Sequence, residues 1–242
     1  MNPSTPPPAD YERMVTELAE LAGGLAHELR NPLSTIMINL KLLAEQLQDE
    51  QVSSADLRRR ALVKVDALRR EAERLQALFD DFLRLAGPVR VQAAEIDLHS
   101  VVDRLVEFCS PLAHGRGIDI VVPITAGSLV CHADEKLLSQ ALLNLVINAQ
   151  DAMPHGGTLT IATGGDDQHA TIQVCDTGVG IAPESRDRIM RPFFSTKASG
   201  TGLGLSITRR IIEAHGGTLT FESEVGRGTT FIISLPRTVV AS

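Results

Sequence analysis

The sequence predicts two folds in series: an all-α helical hairpin, closed into a four-helix bundle as a dimer, then an α+β domain with a mixed sheet over helices. Three observations predict this. Apolar residues recur at seven-residue spacing through the first third of the chain. Gly87-Pro88 then stops that pattern. Beyond it, short runs with strand character are interleaved with segregated helical stretches.

Residues 1–10 are Pro-rich and read as a disordered lead-in. A helical stripe follows. Leu29, Ile36 and Leu43 fall seven apart, as do Leu33, Leu40 and Leu47, with Leu18 and Leu25 extending it upstream. The polar stretch 48–54 reads as a turn, and Ser53 with Asp56 resembles a capping-box start. In the second helix Ala61, Leu68, Leu75 and Phe82 form one row and Val65, Ala72, Phe79 and Ala86 the other. A hairpin over 11–88 cannot bury both stripes alone, so a homodimer is expected. The heptads by themselves fit a plain dimerisation coil.

The second domain, 89–242, opens on a short strand at 95–98 and a helix to about His114. Strands are expected at 118–123 and 128–132, then a helix over 134–153 ended by Pro154-His155-Gly156-Gly157. A hairpin of 158–163 with 170–175 leads into an irregular Gly-rich stretch. A helix over 203–214 and strands at 218–223 and 229–235 complete the domain.

Composition narrows the function. Aromatics are 3% of the 242 residues and Trp is absent, so the core must be aliphatic. A net charge of −7 offers nothing to attract nucleic acid. Cys109, Cys131 and Cys175 lack metal-ligand spacing and read as buried small hydrophobes in a reducing compartment. The N-terminus has no signal-peptide pattern, and no apolar run approaches the roughly 18 residues of a membrane span. A cytoplasmic protein is expected, with its stimulus arriving through partners, through the short N-terminal segment, or from a sensor outside this sequence.

His27 stands in the string Gly24-Leu25-Ala26-His27-Glu28-Leu29-Arg30-Asn31-Pro32-Leu33. At about 100° per residue it lies about 200° around the helix from both Leu25 and Leu29, facing away from the apolar stripe. Asn31 and Ser34 share its face. Imidazole near neutral pH is largely free base and can attack phosphorus, with the adjacent Glu28 taking or orienting the other ring proton. Pro32 removes one helical hydrogen bond, so a kink is expected beside the nucleophile. Taken alone, His27 is better read as a solvent-facing helix histidine.

Three further segments suggest a nucleotide site. Asn144 and Asn148 lie i,i+4 on the long helix, where an amide oxygen suits Mg²⁺, though the pair would also serve buried polar groups. Asp176-Thr177-Gly178-Val179-Gly180 follows a strand. Gly178 and Gly180 would let backbone approach a flat ring, and the Asp176 carboxylate would accept from an adenine amine. Such a string also suits an ordinary turn. Pro192-Phe193-Phe194-Ser195-Thr196-Lys197 leads into Gly200-Thr201-Gly202-Leu203-Gly204 at a helix start. Free N–H groups and the helix dipole would meet phosphates there, Lys197 would add a mobile cation, and Phe193 and Phe194 would anchor the loop. The alternative is a flexible Gly-rich loop.

The His27 string closely resembles the H-box of bacterial two-component sensor histidine kinases, His-Glu-X-X-Asn/Thr-Pro-Leu. The later segments, in order, resemble the N box, first glycine box, F box and second glycine box of that family's ATP-binding domain, which has the Bergerat fold. The resemblance covers about residues 16–236. It implies a histidine autokinase using ATP and Mg²⁺, with His27 the phospho-acceptor, Glu28 its acid-base partner and Asn31 positioning a water for phosphatase action on the regulator. It also implies Asn148 as metal ligand, Asp176 as adenine reader, Gly200, Gly202 and Gly204 as the phosphate loop, and Thr229 as a nucleotide contact. The phosphoryl group would pass to an aspartate of a response-regulator receiver domain. One residue departs from the pattern. Asp151 stands where many of these kinases carry a basic residue, which looks like the nitrogen-regulation branch, whose regulators activate polymerase with the nitrogen-type sigma factor. Two rivals are a non-catalytic ATP-binding adaptor and a serine kinase or ATPase of the same superfold.

Overall fold

The structure is a computed structural model that describes residues 8–48, 54–123, 129–197 and 200–237. Helix α1 spans Pro8–Leu47 and α2 spans Ser54–Ala86. The helix begins at Pro8, within the expected lead-in; proline suits a first helical position because its missing N–H would have no partner there. Ser53 and the side chain of Leu18 lie outside the described residues, as do 124–128.

In the hairpin one heptad row on each helix turns inward. Leu29, Ile36 and Leu43 are half-buried, as are Ala61, Leu68, Leu75 and Phe82. The other rows stay open: Leu33, Leu40 and Leu47 on α1, Val65 and Phe79 on α2. Helix α1 runs through Pro32 unbroken. Next to it the Ser34 hydroxyl donates to the Arg30 carbonyl at 2.8 Å and the Thr35 hydroxyl to the Asn31 carbonyl at 3.2 Å. The compact unit containing this hairpin also takes in residues 195–197 and 200–203.

The second unit holds β1 (Ala94–Asp97), α3 (Leu98–Gly115), β2 (Ile118–Val121), β3 (Val130–Ala133), α4 (Glu135–Ala152), β4 (Gly157–Gly165) and β5 (His169–Asp176). A single turn α5 (Pro183–Arg186), then α6 (Gly204–Ala214), β6 (Thr218–Glu224) and β7 (Gly228–Pro236) complete it. The five-stranded sheet has order β2-β4-β5-β7-β6, parallel at β2-β4 and antiparallel elsewhere, and β1 pairs with β3 separately. Alternation along β5 buries Ala170, Ile172, Val174 and Asp176 against the helical layer. From α4 the core receives Leu138, Leu142, Leu145 and Val146; α6 adds Ile207, Ile211 and Ile212.

Two aspartates start helices. Asp97 Oδ1 accepts from the His99 N–H, and Asp134 Oδ1 accepts from those of Lys136 and Leu137. Burial pushes the Asp134 carboxyl up. The N–H groups of Gln92, Leu137 and Lys136, with His215 nearby, outweigh that and hold it below the ordinary aspartate range. His215 caps α6, its Nδ1 lying 2.8 Å from the Ile211 carbonyl, and its Nε2 also accepts from the Asp134 N–H at 2.9 Å. In the neutral ring that pairing puts the proton on Nδ1. All three cysteines are free, with Cys109 and Cys131 buried and Cys175 partly so. Burial pushes the Cys131 thiol up to about 11.

Candidate functional site

Three residues of one helical stretch make one candidate site. On α1, His27 and Asn31 are exposed and Glu28 is half-buried. The spacing of one turn sets His27 and Asn31 on a common open face, as the heptad phase requires. Beside them lies an open apolar groove lined by Ala26, Leu29, Leu33, Met37 and Ile38.

The α/β unit assembles a separate candidate site. Asp176 ends β5, only 4% exposed, and its Oδ1 accepts from the Gly178 N–H at 2.8 Å. Thr229 on β7 is its direct cross-strand partner, so both side chains project from the same face of the sheet. The loop after Asp176 lies hard against the end of α4. Val179 N–H donates to the Ala152 carbonyl at 3.0 Å, and a Cβ on Gly178 would come within 2.4 Å of that oxygen. Gly180 (φ 70°) packs on the β6–β7 turn, where a Cβ would lie 2.2 Å from the Glu224 carbonyl. These two glycines are thus demanded by close backbone packing.

Asn148 is half-buried on α4. Among the described residues no group of three or more His, Cys, Asp or Glu could hold a metal. A single amide oxygen on a helix face suits a hard cation that arrives with a polyphosphate, as Mg²⁺ does. Asn144 is differently employed. Its Nδ2 donates to the Gly204 carbonyl at 3.3 Å and reaches Thr208 Oγ1 at 3.5 Å, fastening α4 to the root of α6.

Lys197, Gly200, Thr201, Gly202 and Leu203 belong to the unit of the helical hairpin. There the Thr201 hydroxyl donates to Asp81 Oδ2 at 3.2 Å, and the Leu203 N–H donates to Thr201 Oγ1 at 3.4 Å. Burial pushes the Asp81 carboxyl up, against the opposing pull of the Thr201 hydroxyl and Arg84. Gly202 has φ 68°, a backbone state that favours glycine. In the α/β unit the Arg188 guanidinium stacks over Phe194 at 4.4 Å. That contact fits the anchoring role read for Phe194.

Two residues escaped sequence reasoning. Ser223 receives the Ile181 N–H at 2.8 Å and contacts Thr229 Oγ1 at 2.9 Å, bracing the loop of Gly178 and Gly180. Arg116 pairs with Asp151 at 3.2 Å across 35 residues of sequence. Neither bond has a local signature.

The pattern of the His Kinase A (phospho-acceptor) domain matches residues 17–87, and that of the histidine kinase-, DNA gyrase B- and HSP90-like ATPase matches residues 133–239. The chain belongs to the sensor histidine kinase family. Sensor histidine kinase ZraS of Klebsiella oxytoca is 37% identical over 231 residues, covering 94% of this chain and 48% of the relative. Sporulation kinase C of Bacillus subtilis is 34% identical, covering 90% of this chain and 49% of the relative. The chain thus spans about half the length of the curated relatives it matches. Among solved structures, histidine kinase ThkA in complex with response regulator protein TrrA superimposes with TM-score 0.76 at 27% identity, covering 94% of this chain and 64% of that one. Full-length ShkA in complex with AMPPNP does so with TM-score 0.66 at 29% identity, covering 92% of this chain and 47% of that one. In sensor histidine kinase terms, His27, Glu28 and Asn31 fall inside the phospho-acceptor match and Asn144 to Thr229 inside the ATPase match. Arg116 lies in neither. No described helix is long and apolar enough to cross a membrane.

Proposed function

We propose that this chain is a histidine autokinase that moves the γ-phosphoryl group of ATP to His27 and then to an aspartate of a response regulator. The exposed His27–Asn31 face on a phospho-acceptor hairpin, in a chain that also carries an ATPase unit, is the observation that carries this reading. A ring nitrogen of His27 attacks the γ-phosphorus, the bond to the β,γ-bridging oxygen breaks, and ADP leaves. Glu28 takes the proton from the other ring nitrogen as the N–P bond forms. A receiver aspartate then attacks the same phosphorus and regenerates the imidazole. Asn148 would help hold Mg²⁺, which would supply charge neutralisation there. Asp176, with Thr229 beside it, reads the adenine amine.

Incubation with radiolabelled ATP should give acid-labile, alkali-stable label on the protein. His27→Ala should remove the label and leave nucleotide binding intact; label persisting in that variant overturns the assignment. Asn148→Ala should weaken transfer by about tenfold or more, as loss of a charge-stabilising contact does. An unchanged rate refutes its metal role.

The same reading gives Asn31 a role in regulator dephosphorylation, by positioning the attacking water. Asn31→Ala should slow that step while autophosphorylation continues; equal loss of both contradicts it. The ThkA–TrrA complex supports a receiver domain as partner. The open heptad rows support a homodimer. Asp151 and the Pro192–Lys197 segment support the nitrogen-regulation branch and a regulator serving the nitrogen-type sigma factor. Transfer from phosphorylated protein to a panel of receiver domains tests that assignment, which fails if receivers of other branches are preferred.

A further inference from the structure

The C-terminal end of α4 is an anionic place. The helix dipole puts negative charge there, Asp151 adds a carboxylate, and the last turn carries no basic residue. Asp151 lies three residues past Asn148, about 60° around the helix at about 100° per residue, so it borders the face proposed to meet nucleotide. The neighbouring Ala152 carbonyl is where the loop from Asp176 docks. A polyanion approaching this face in a chain of net charge −7 would meet repulsion.

Arg116 answers that repulsion from another element. It caps the end of α3, its N–H directed to the Ala113 and His114 carbonyls. The following Gly117 (φ 69°) is seated against the α4–β4 turn: Gly157 N–H donates to its carbonyl at 3.2 Å, and a Cβ on Gly156 would come within 2.4 Å of that oxygen. The backbone that carries Arg116 is therefore fixed beside the end of α4. From there Nη1 reaches Asp151 Oδ1 at 3.2 Å. A guanidinium has five N–H donors, so one bond to Asp151 leaves others able to meet an anionic oxygen.

We infer that Arg116, oriented by Asp151, is a nucleotide-binding residue that contacts a phosphate group of ATP held on the α4 face. This rests on the nucleotide site proposed above. An ordinary exposed ion pair is the competing account, and it makes opposite predictions.

The test is titration of the full chain with Mg·ATP, Mg·ADP and adenosine at low and high salt. Arg116→Ala should raise Kd for both nucleotides by about tenfold at low salt, the scale of one charge-assisted hydrogen bond, and leave adenosine within about twofold. High salt should shrink the difference. Arg116→Ala combined with Asp151→Asn should stay weak, because the phosphate contact is still missing. Full recovery in that double variant would mean Arg116 merely cancels the carboxylate, and the proposal falls. It falls too if Arg116→Ala binds ATP as wild type does, or loses adenosine in the same proportion. Thermal melting confirms folding of each variant. A wild-type chain that binds no adenine nucleotide defeats the nucleotide site itself, a distinguishable failure.

Discussion

Among the described residues of the two long helices, only Pro32, Leu78 and Leu85 are buried, whereas the α/β unit buries most of one face of α3, α4 and α6 and alternate residues of β4, β5 and β7. The same aliphatic composition is thus used in two ways. Met37 is 67% exposed and Phe79 50%, while Leu138, Leu142 and Leu145 are fully covered. A unit with a complete core holds its fold by itself. In the proposed homodimer, open heptad rows would instead tie hairpin stability to protomer concentration. The residues proposed to read nucleotide stand on the first kind of support and His27 on the second.

The strongest way to break this contrast is Phe79→Asp. A charge placed among the open rows should raise the dimer dissociation constant by on the order of a hundredfold or more, because a buried unpaired charge costs several kcal/mol. Sedimentation would record monomers while nucleotide binding continues; an intact dimer would show that these rows are not the interface. Leu142→Ala should do the reverse, costing about 3 kcal/mol of the α/β core and leaving sedimentation unchanged. A melting temperature within a degree of wild type would contradict a closed core there.

A smaller effect sharpens the picture of α4. Asp134→Ala should cost about 1 kcal/mol, the scale of a lost N-cap. The carboxyl is held below its ordinary range when folded, so it stabilises fully above its unfolded pKa and less as pH falls through the folded one. The difference between variant and wild type in urea melts should be flat above about pH 5 and shrink below about pH 4. A difference that grows in acid would reverse the assignment. Smallest of all is a rate contrast without a stability change. A thiol reagent at pH 8 should reach Cys175 well before Cys131, whose thiol burial pushes up to about 11. Equal rates in the native protein would mean that the core is open.

Much of this was legible because local rules dominate it. Seven-residue spacing marks the two helices and their inward rows. Alternation of Ala170, Ile172 and Val174 marks β5, and Asp134 marks the start of α4. Short α5 was not foreseen, since four residues carry no periodicity. At the site, Asp176, Gly178 and Gly180 stand out because tight backbone packing demands glycine at fixed offsets from a carboxylate. The helical spacing of Asn144 and Asn148 suggests converging amide oxygens, but only the packing of α6 reveals that the Asn144 amide is spent on Gly204 and Thr208. Likewise the His215 ring bonds to Asp134 across 81 residues of sequence. Arg116 and Asp151 illustrate the same limit, because pairing at that separation is a product of tertiary packing.

Asp176 and Thr229 face one another across paired strands, and Gly228 beside them passes so near the Asp176 carbonyl that any side chain there would collide. Inserting or deleting a single residue in the β6–β7 turn would rotate Thr229 to the reverse side of its ribbon while Asp176 stayed in place. Drift in the length of that turn is therefore incompatible with keeping the two together.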